Sequence, residues 1–285
     1  MDSACQLRRR LLAREVSAVA VLDAHLEVIA RRNPELNAIV TFTPELARAQ
    51  ALRADAAMGR GEVLGLLHGI PVAHKDLQET QGIRTTFGSP IYADYVPTFD
   101  TEVVARMKAA GCVCVGKTNT PEFGAGSQTF NSIFGATLNP YDVSKTCGGS
   151  SGGSAVALAC GMAPLADGTD LGGSLRNPAA YCNVVGFRPS MGRVPDAKPW
   201  LGPRLGTSGC MARSVEDLAL GLSVLVDKPE LFRRPLERSF AGVRVAWFRD
   251  LGGAPFDSQV RAVVDQQRAS FAALGCVVEE AEPDF

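Results

Sequence analysis

The chain has 285 residues, of which 46% are hydrophobic and 21% charged, with a net charge of −1. That composition excludes a disordered chain, and the balanced charge gives no electrostatic drive toward nucleic acid or an acidic membrane. No apolar run reaches the roughly 18 residues that a membrane helix needs, and three histidines, His25, His68 and His74, are too few for a multi-histidine metal site.

Helical periodicity over 4–15 and 17–32 opens the chain, with Pro34 expected to stop the second helix. The cluster Arg8, Arg9, Arg10 lies on a different helix face from Leu7, Leu11 and Leu12 and reads as a solvated surface. The N-terminus lacks the continuous apolar stretch of a secretory signal, and Asp2 and Glu15 argue against a transit peptide. Residues 36–42 read as a short strand and 44–58 as a helix. A turn-like stretch at 59–65 separates this helical lead, 1–60, from a core, 61–285, and the two are expected to form one domain.

From there the pattern alternates. Strands are expected at 69–77, 112–116, 242–248 and 276–280, an extended stretch at 162–168, and helices at 101–110, 153–160, 213–226 and 257–274. Strands alternating with helices predict an α/β fold. The stretch 117–150 has little periodicity and many Gly, Thr, Asn and Ser residues, and a loop that long in a folded domain is usually functional. The eight cysteines form no C-x-x-C pair, and most sit among apolar or small neighbours, as in a reducing cytoplasm.

Two motif matches fail on context. "GCVCVGKT" (111–118) has the letters of a phosphate loop, but a helix precedes it, Pro121 follows, and its Cys/Val alternation is that of a buried strand. "GGSSG" (148–152) has the letters of a nucleophile elbow, but that mechanism needs a histidine later in the chain, and none follows Ser150.

Without histidine, lysine is the next candidate base. Of six lysines, Lys108 lies on the exposed side of a helix, and Lys145, Lys198 and Lys228 lie in polar turns. Lys75 instead ends the apolar run "GIPVAH" and is expected to point inward. The alternative is a lysine paired with its neighbour Asp76. A second Gly/Ser motif, "GTDLGGSLRNP" (168–178), carries Ser174 after Gly172 and Gly173. Consecutive N–H groups in such a turn converge on an oxyanion; each motif alone also fits a tight turn.

Together, "GIPVAHKDL", "GKTNTPEF", "TCGGSSGGSAVALACG" and "GTDLGGSLRNPAAYCNVVGFRPSMGRVP" resemble the amidase signature family of serine hydrolases. The resemblance implies a mixed β-sheet sandwiched between α-helices. It implies Ser174 as nucleophile, Ser150 as a bridging serine reached through a cis peptide bond, and Lys75 as base. N–H groups of Leu171, Gly172, Gly173 and Ser174 would form the oxyanion hole. Gly124, in the loop 122–128, would border the leaving amide, and Ser151, Thr169, Asp170 and Arg176 would support the site. Burial away from carboxylates disfavours the lysine ammonium, which suits Lys75 as base.

The implied reaction hydrolyses a carboxylic amide to carboxylate and ammonia through an acyl-enzyme, with no cofactor and no metal. The implied partner is a small-molecule amide, with no nucleic acid directly and no membrane, in a cytoplasmic protein that forms a homodimer. An alternative is an ammonia supplier resembling the A subunit of a glutamine amidotransferase for tRNA-dependent amidation. Family members usually run more than a hundred residues further, so the fold is expected to be incomplete at its C-terminus. A catalytically inactive truncated module is the remaining alternative.

Overall fold

In the computed structural model, residues 1–195, 205–250 and 253–282 are described, and the expected polar turn at Lys198 lies outside them. The chain divides into two units, 1–234 and 235–285, so a boundary falls inside the stretch 61–285 that the sequence reads as core.

The first unit opens with α1 (Ala4–Leu12) and α2 (Ala18–Leu36), each N-capped by a serine, Ser3 or Ser17. In α1, Ala4, Leu7 and Leu11 are buried while Arg9 and Arg10 face solvent, which fits the solvated reading of the arginine cluster. Pro34 does not stop α2; the helix runs through it to Leu36. A proline in the last turn removes only one helical hydrogen bond. The end is set instead by Asn37, left-handed at φ 51°. Asn33 then accepts the N–H groups of Ala38 and Ile39 at 3.0 and 2.8 Å, turning the chain into β1 (Ile39–Phe42). Helix α3 (Pro44–Gly59) buries an alanine stripe, Ala47, Ala51, Ala54 and Ala57.

Next come β2 (Pro71–Lys75), α4 (Glu102–Ala109) and β3 (Val113–Thr118). The long stretch 117–150 holds a two-strand ladder, β4 (Phe130–Asn131) and β5 (Gly135–Ala136), and otherwise runs mostly as loop and turn. It leads into α5 (Gly152–Ala159), β6 (Leu165–Asp170), α6 (Arg176–Tyr181), β7 (Val185–Gly186), β8 (Thr207–Ala212) and α7 (Val215–Leu225).

Six strands form one sheet in the order β1-β3-β2-β6-β8-β7. The β3, β2 and β6 strands are parallel, and β1, β8 and β7 join antiparallel, so the sheet is mixed. The central strands are buried along their whole length, as parallel strands covered by helices are. Val72, Val113, Val115, Leu165 and Met211 contribute to the core, and full burial of a residue of this size is worth about 1.5–3 kcal/mol.

The second unit is a parallel pair, β9 (Arg244–Trp247) and β10 (Val277–Glu280), joined through α8 (Ser258–Gln266) and α9 (Arg268–Ala273). The expected single helix over 257–274 is two, meeting at Gln267.

Candidate active site

Strands β2 and β6 lie side by side and parallel, so their carboxyl ends open on the same edge of the sheet, where α/β folds place ligands. Lys75 is the last residue of β2 and is 0% exposed. Its Nζ donates to Ser150 Oγ at 2.7 Å, to Ser151 Oγ at 2.9 Å and to Thr169 Oγ1 at 2.9 Å. Its backbone N–H donates to Asp167 Oδ1 at 2.9 Å, and the other oxygen of Asp167 bonds Nδ1 of the buried His74. Burial works against a charged imidazole, but Cys114 and the Asp167 carboxylate outweigh it and hold His74 well above its ordinary value.

The neighbouring carboxylate, Asp76, has an ion pair with another lysine. Asp76 Oδ1 lies 3.7 Å from Nζ of Lys117, a second fully buried lysine, on β3. Lys117 also donates to the Gln78 carbonyl and, at 2.8 Å, to Thr85 Oγ1. The sequence marks Lys117 through the rejected phosphate-loop letters and within the quoted motif "GKTNTPEF", without a role. Its inward alternation on a buried strand is the signal that places it.

The stretch around "CGGSSGG" is packed too tightly for a linker. The peptide bond Gly149–Ser150 is cis, and Ser150 and Ser151 are buried. A Cβ on Gly152 would lie 2.7 Å from Cys147 Sγ and 2.8 Å from Thr129 Cβ, so only glycine fits there. Ser151 links the two Gly/Ser motifs. Its N–H donates to the Ser174 carbonyl at 3.2 Å, and its Oγ accepts the Thr169 N–H at 3.3 Å.

Ser174 is half-buried in the turn between β6 and α6, beside the exposed Leu171 and Gly172. Asp170, fully buried at the end of β6, fastens this turn. It accepts the N–H groups of Gly173 at 2.8 Å and Leu175 at 3.1 Å, and it binds Arg176 through Nε and Nη2, both at 3.0 Å. Arg188 Nη1 reaches the same carboxylate at 3.0 Å, the Asp170 carbonyl at 2.6 Å and the Leu171 carbonyl at 3.2 Å. Arg188 Nη2 donates to the Leu205 carbonyl at 2.8 Å. Burial opposes the charge of Asp170, but Arg176, the two N–H groups and Arg188 prevail and hold its carboxyl well below the usual carboxylate range. Arg188 is absent from the site residues that the sequence leads one to expect, although it stands in the quoted motif as "GFRPS".

Gly124 lies beside Ser150. It has φ +71°, and a Cβ there would come 3.6 Å from Ser150 Oγ and 2.6 Å from Leu77 Cδ1. The expected residues thus gather from four segments: Lys75, Gly124, Ser150–Ser151 and Thr169–Arg176. Within the oxyanion set, the Gly173 N–H is already given to Asp170. Among the described residues, no group of three or more His, Cys, Asp or Glu side chains is placed to hold a metal, and no helix is long and apolar enough to cross a membrane.

A family model described as Amidase matches residues 20–284. The A subunit of the glutamyl-tRNA(Gln) amidotransferase of Burkholderia pseudomallei (strain 668) is 41% identical, across 97% of this chain and 60% of that protein. A bacterial aryl acylamidase of the amidase signature enzymes superposes with a TM-score of 0.89 at 29% identity, across 99% of this chain and 61% of its own. The peptide amidase of Stenotrophomonas maltophilia gives 0.84 at 30% identity, across 98% and 62%. The chain spans about 60% of the length of the curated relative and of both solved structures.

Proposed function

The chain belongs to the amidase family, and on that premise we propose that it hydrolyses a carboxylic amide to carboxylate and ammonia through an acyl-enzyme on Ser174. The observation that carries this reading is the 2.7 Å contact between Lys75 Nζ and Ser150 Oγ at a buried strand end. Lys75, acting as the neutral amine, takes a proton from Ser150 as Ser150 takes one from Ser174. Ser174 Oγ attacks the amide carbon, and the carbonyl oxygen becomes an oxyanion held by N–H groups of the 171–174 turn. Ser150 passes a proton to the leaving nitrogen and regains one from the Lys75 ammonium, the C–N bond breaks, and ammonia departs. Water then attacks the ester by the same relay, releasing the carboxylate and regenerating Ser174.

Ser151 and Thr169 serve by orienting the Lys75 amine, and Asp170 and Arg176 by shaping the turn. The substrate is a small amide, approached past Gly124. A second reading has glutamine as the amide and a partner protein as the consumer of ammonia. It is favoured by the higher identity to the amidotransferase relative, 41%, than to the amidase structures, 29% and 30%. A cytoplasmic location and a homodimer belong to the proposal as well.

The test is labelling by a serine-directed fluorophosphonate, mapped to the modified peptide, on wild type, Ser174→Ala and Lys75→Ala. Label at Ser174, lost in Ser174→Ala and reduced at least about 100-fold in Lys75→Ala, is the expected result. Absence of label in the folded wild type sinks the proposal in favour of an inactive module. Ammonia release from glutamine against that from simple aliphatic and aryl amides separates the two substrate readings.

A further inference from the structure

Arg188 contributes nothing to the chemistry described above, yet one guanidinium meets four oxygens. They are the Asp170 carboxylate, the carbonyls of Asp170 and Leu171, and the Leu205 carbonyl. Three belong to the nucleophile turn. The fourth lies just before β8, which pairs with β6 antiparallel and aligns Thr207 with Asp170. Arg188 therefore ties the turn to the chain that enters the neighbouring strand.

The two carbonyls matter most. In a trans peptide unit the C=O and the N–H point in opposite directions. The Asp170 carbonyl shares its peptide plane with the Leu171 N–H, and the Leu171 carbonyl shares its plane with the Gly172 N–H. Drawing both oxygens onto one guanidinium turns both N–H groups to the side away from it. The Gly173 N–H, by contrast, is spent on Asp170 Oδ1 at 2.8 Å. Leu171 is 51% exposed, and a Cβ on Gly172 would meet no atom within 4 Å, so this part of the turn has little packing of its own to hold it. Glycine next to an exposed residue is the place where a peptide plane rotates most easily.

We propose that Arg188 is a positioning residue that orients the Leu171 and Gly172 N–H groups as oxyanion donors by holding the carbonyl ends of the same two peptide units. The inference rests on the acyl-enzyme reading above. Arg176 differs in kind: among the described residues its hydrogen bonds go to the Asp170 carboxylate, through Nε and Nη2. A lysine at 188 carries the same charge but is a point donor without the planar fork, so it does not serve all four oxygens.

The experiment compares wild type, Arg188→Met and Arg188→Lys on p-nitroacetanilide and on its thio analogue, in which sulfur replaces the carbonyl oxygen. Sulfur is a larger and weaker acceptor, so an oxyanion donor contributes less to that reaction. Loss of one such donor costs about 10²–10³ in kcat. The expected result for Arg188→Met is a fall of about 100-fold in kcat on the oxygen substrate and less than about tenfold on the sulfur substrate. KM should stay within about threefold, and Arg188→Lys should fall between. A role confined to stability lowers both substrates alike and overturns the inference, as does an unchanged oxygen-to-sulfur ratio. Arg188→Lys keeps the charge and carries the comparison if Arg188→Met is recovered insoluble. Wild type that turns over neither substrate and takes no fluorophosphonate label at Ser174 removes the acyl-enzyme reading, and this inference with it. Active wild type with an unaltered ratio in the variants removes the inference alone.

Discussion

Lys75 and Lys117 are both fully buried, and their surroundings separate them. Lys117 sits by the Asp76 carboxylate and ties the 76–86 segment to β3, whereas the Lys75 amine donates to hydroxyl oxygens of Ser150, Ser151 and Thr169. The sequence distinguishes Lys75 by its place at the end of an apolar run, whereas Lys117, the lysine 3.7 Å from Asp76, lies 41 residues further along the chain. Thr169→Val removes one acceptor from Lys75 while keeping the side-chain shape. A hydrogen bond between neutral groups is worth about 0.5–1.5 kcal/mol. Turnover of a reactive anilide should therefore fall about two- to tenfold in Thr169→Val, with the melting temperature lowered by a few degrees, and unchanged turnover would deny Thr169 an orienting role. Gly124→Ala meets two obstacles, a left-handed backbone and Leu77 at 2.6 Å. It should raise KM for bulky leaving amines more than for ammonia-releasing amides, and a uniform effect across leaving groups would argue against Gly124 as the border of that side.

Among the elements, the seam between β2 and β6 holds Lys75 in place. The Asp167 carboxylate bonds the Lys75 N–H on one oxygen and His74 on the other, across the two strands. Because the folded value of His74 is raised, its contribution to stability is full below the unfolded value of about 6.5. That contribution is lost as pH rises through the folded value. Thermal melting followed from pH 6 upward should show a decline at alkaline pH that His74→Gln removes; parallel declines in both proteins would refute a charged His74. The sequence revealed most of these elements, because β2, β3 and the helices keep their periodicity. It did not reveal β8, whose residues Thr207–Ala212, "TSGCMA", hold one β-branched side chain, Thr207, and no aromatic one. Small residues are required there: a Cβ on Gly209 would lie 2.8 Å from both Leu175 Cδ1 and the Phe187 carbonyl oxygen. Arg188 escaped for a related reason. Its role depends on carbonyls brought to it by tertiary structure, and carbonyls carry no residue-type signal.

At the scale of the whole molecule, every candidate site residue and the whole six-stranded sheet belong to the unit 1–234. A chain ending after Arg234 should therefore still label at Ser174, with a rate within about tenfold of the full chain. Loss of label in a truncated protein that keeps its helical circular dichroism would show that the second unit contributes to the site. The surroundings of Lys75 are assembled from distant parts of the chain: its amine reaches Ser150 across 75 residues and Thr169 across 94. Contacts of such long range carry a loop-closure entropy that slows folding. During synthesis Lys75 leaves the ribosome well before either hydroxyl partner, and Ser174 follows last of all. The relay proposed above would therefore be absent for most of translation, and the proposed hydrolysis would begin only once this unit has folded.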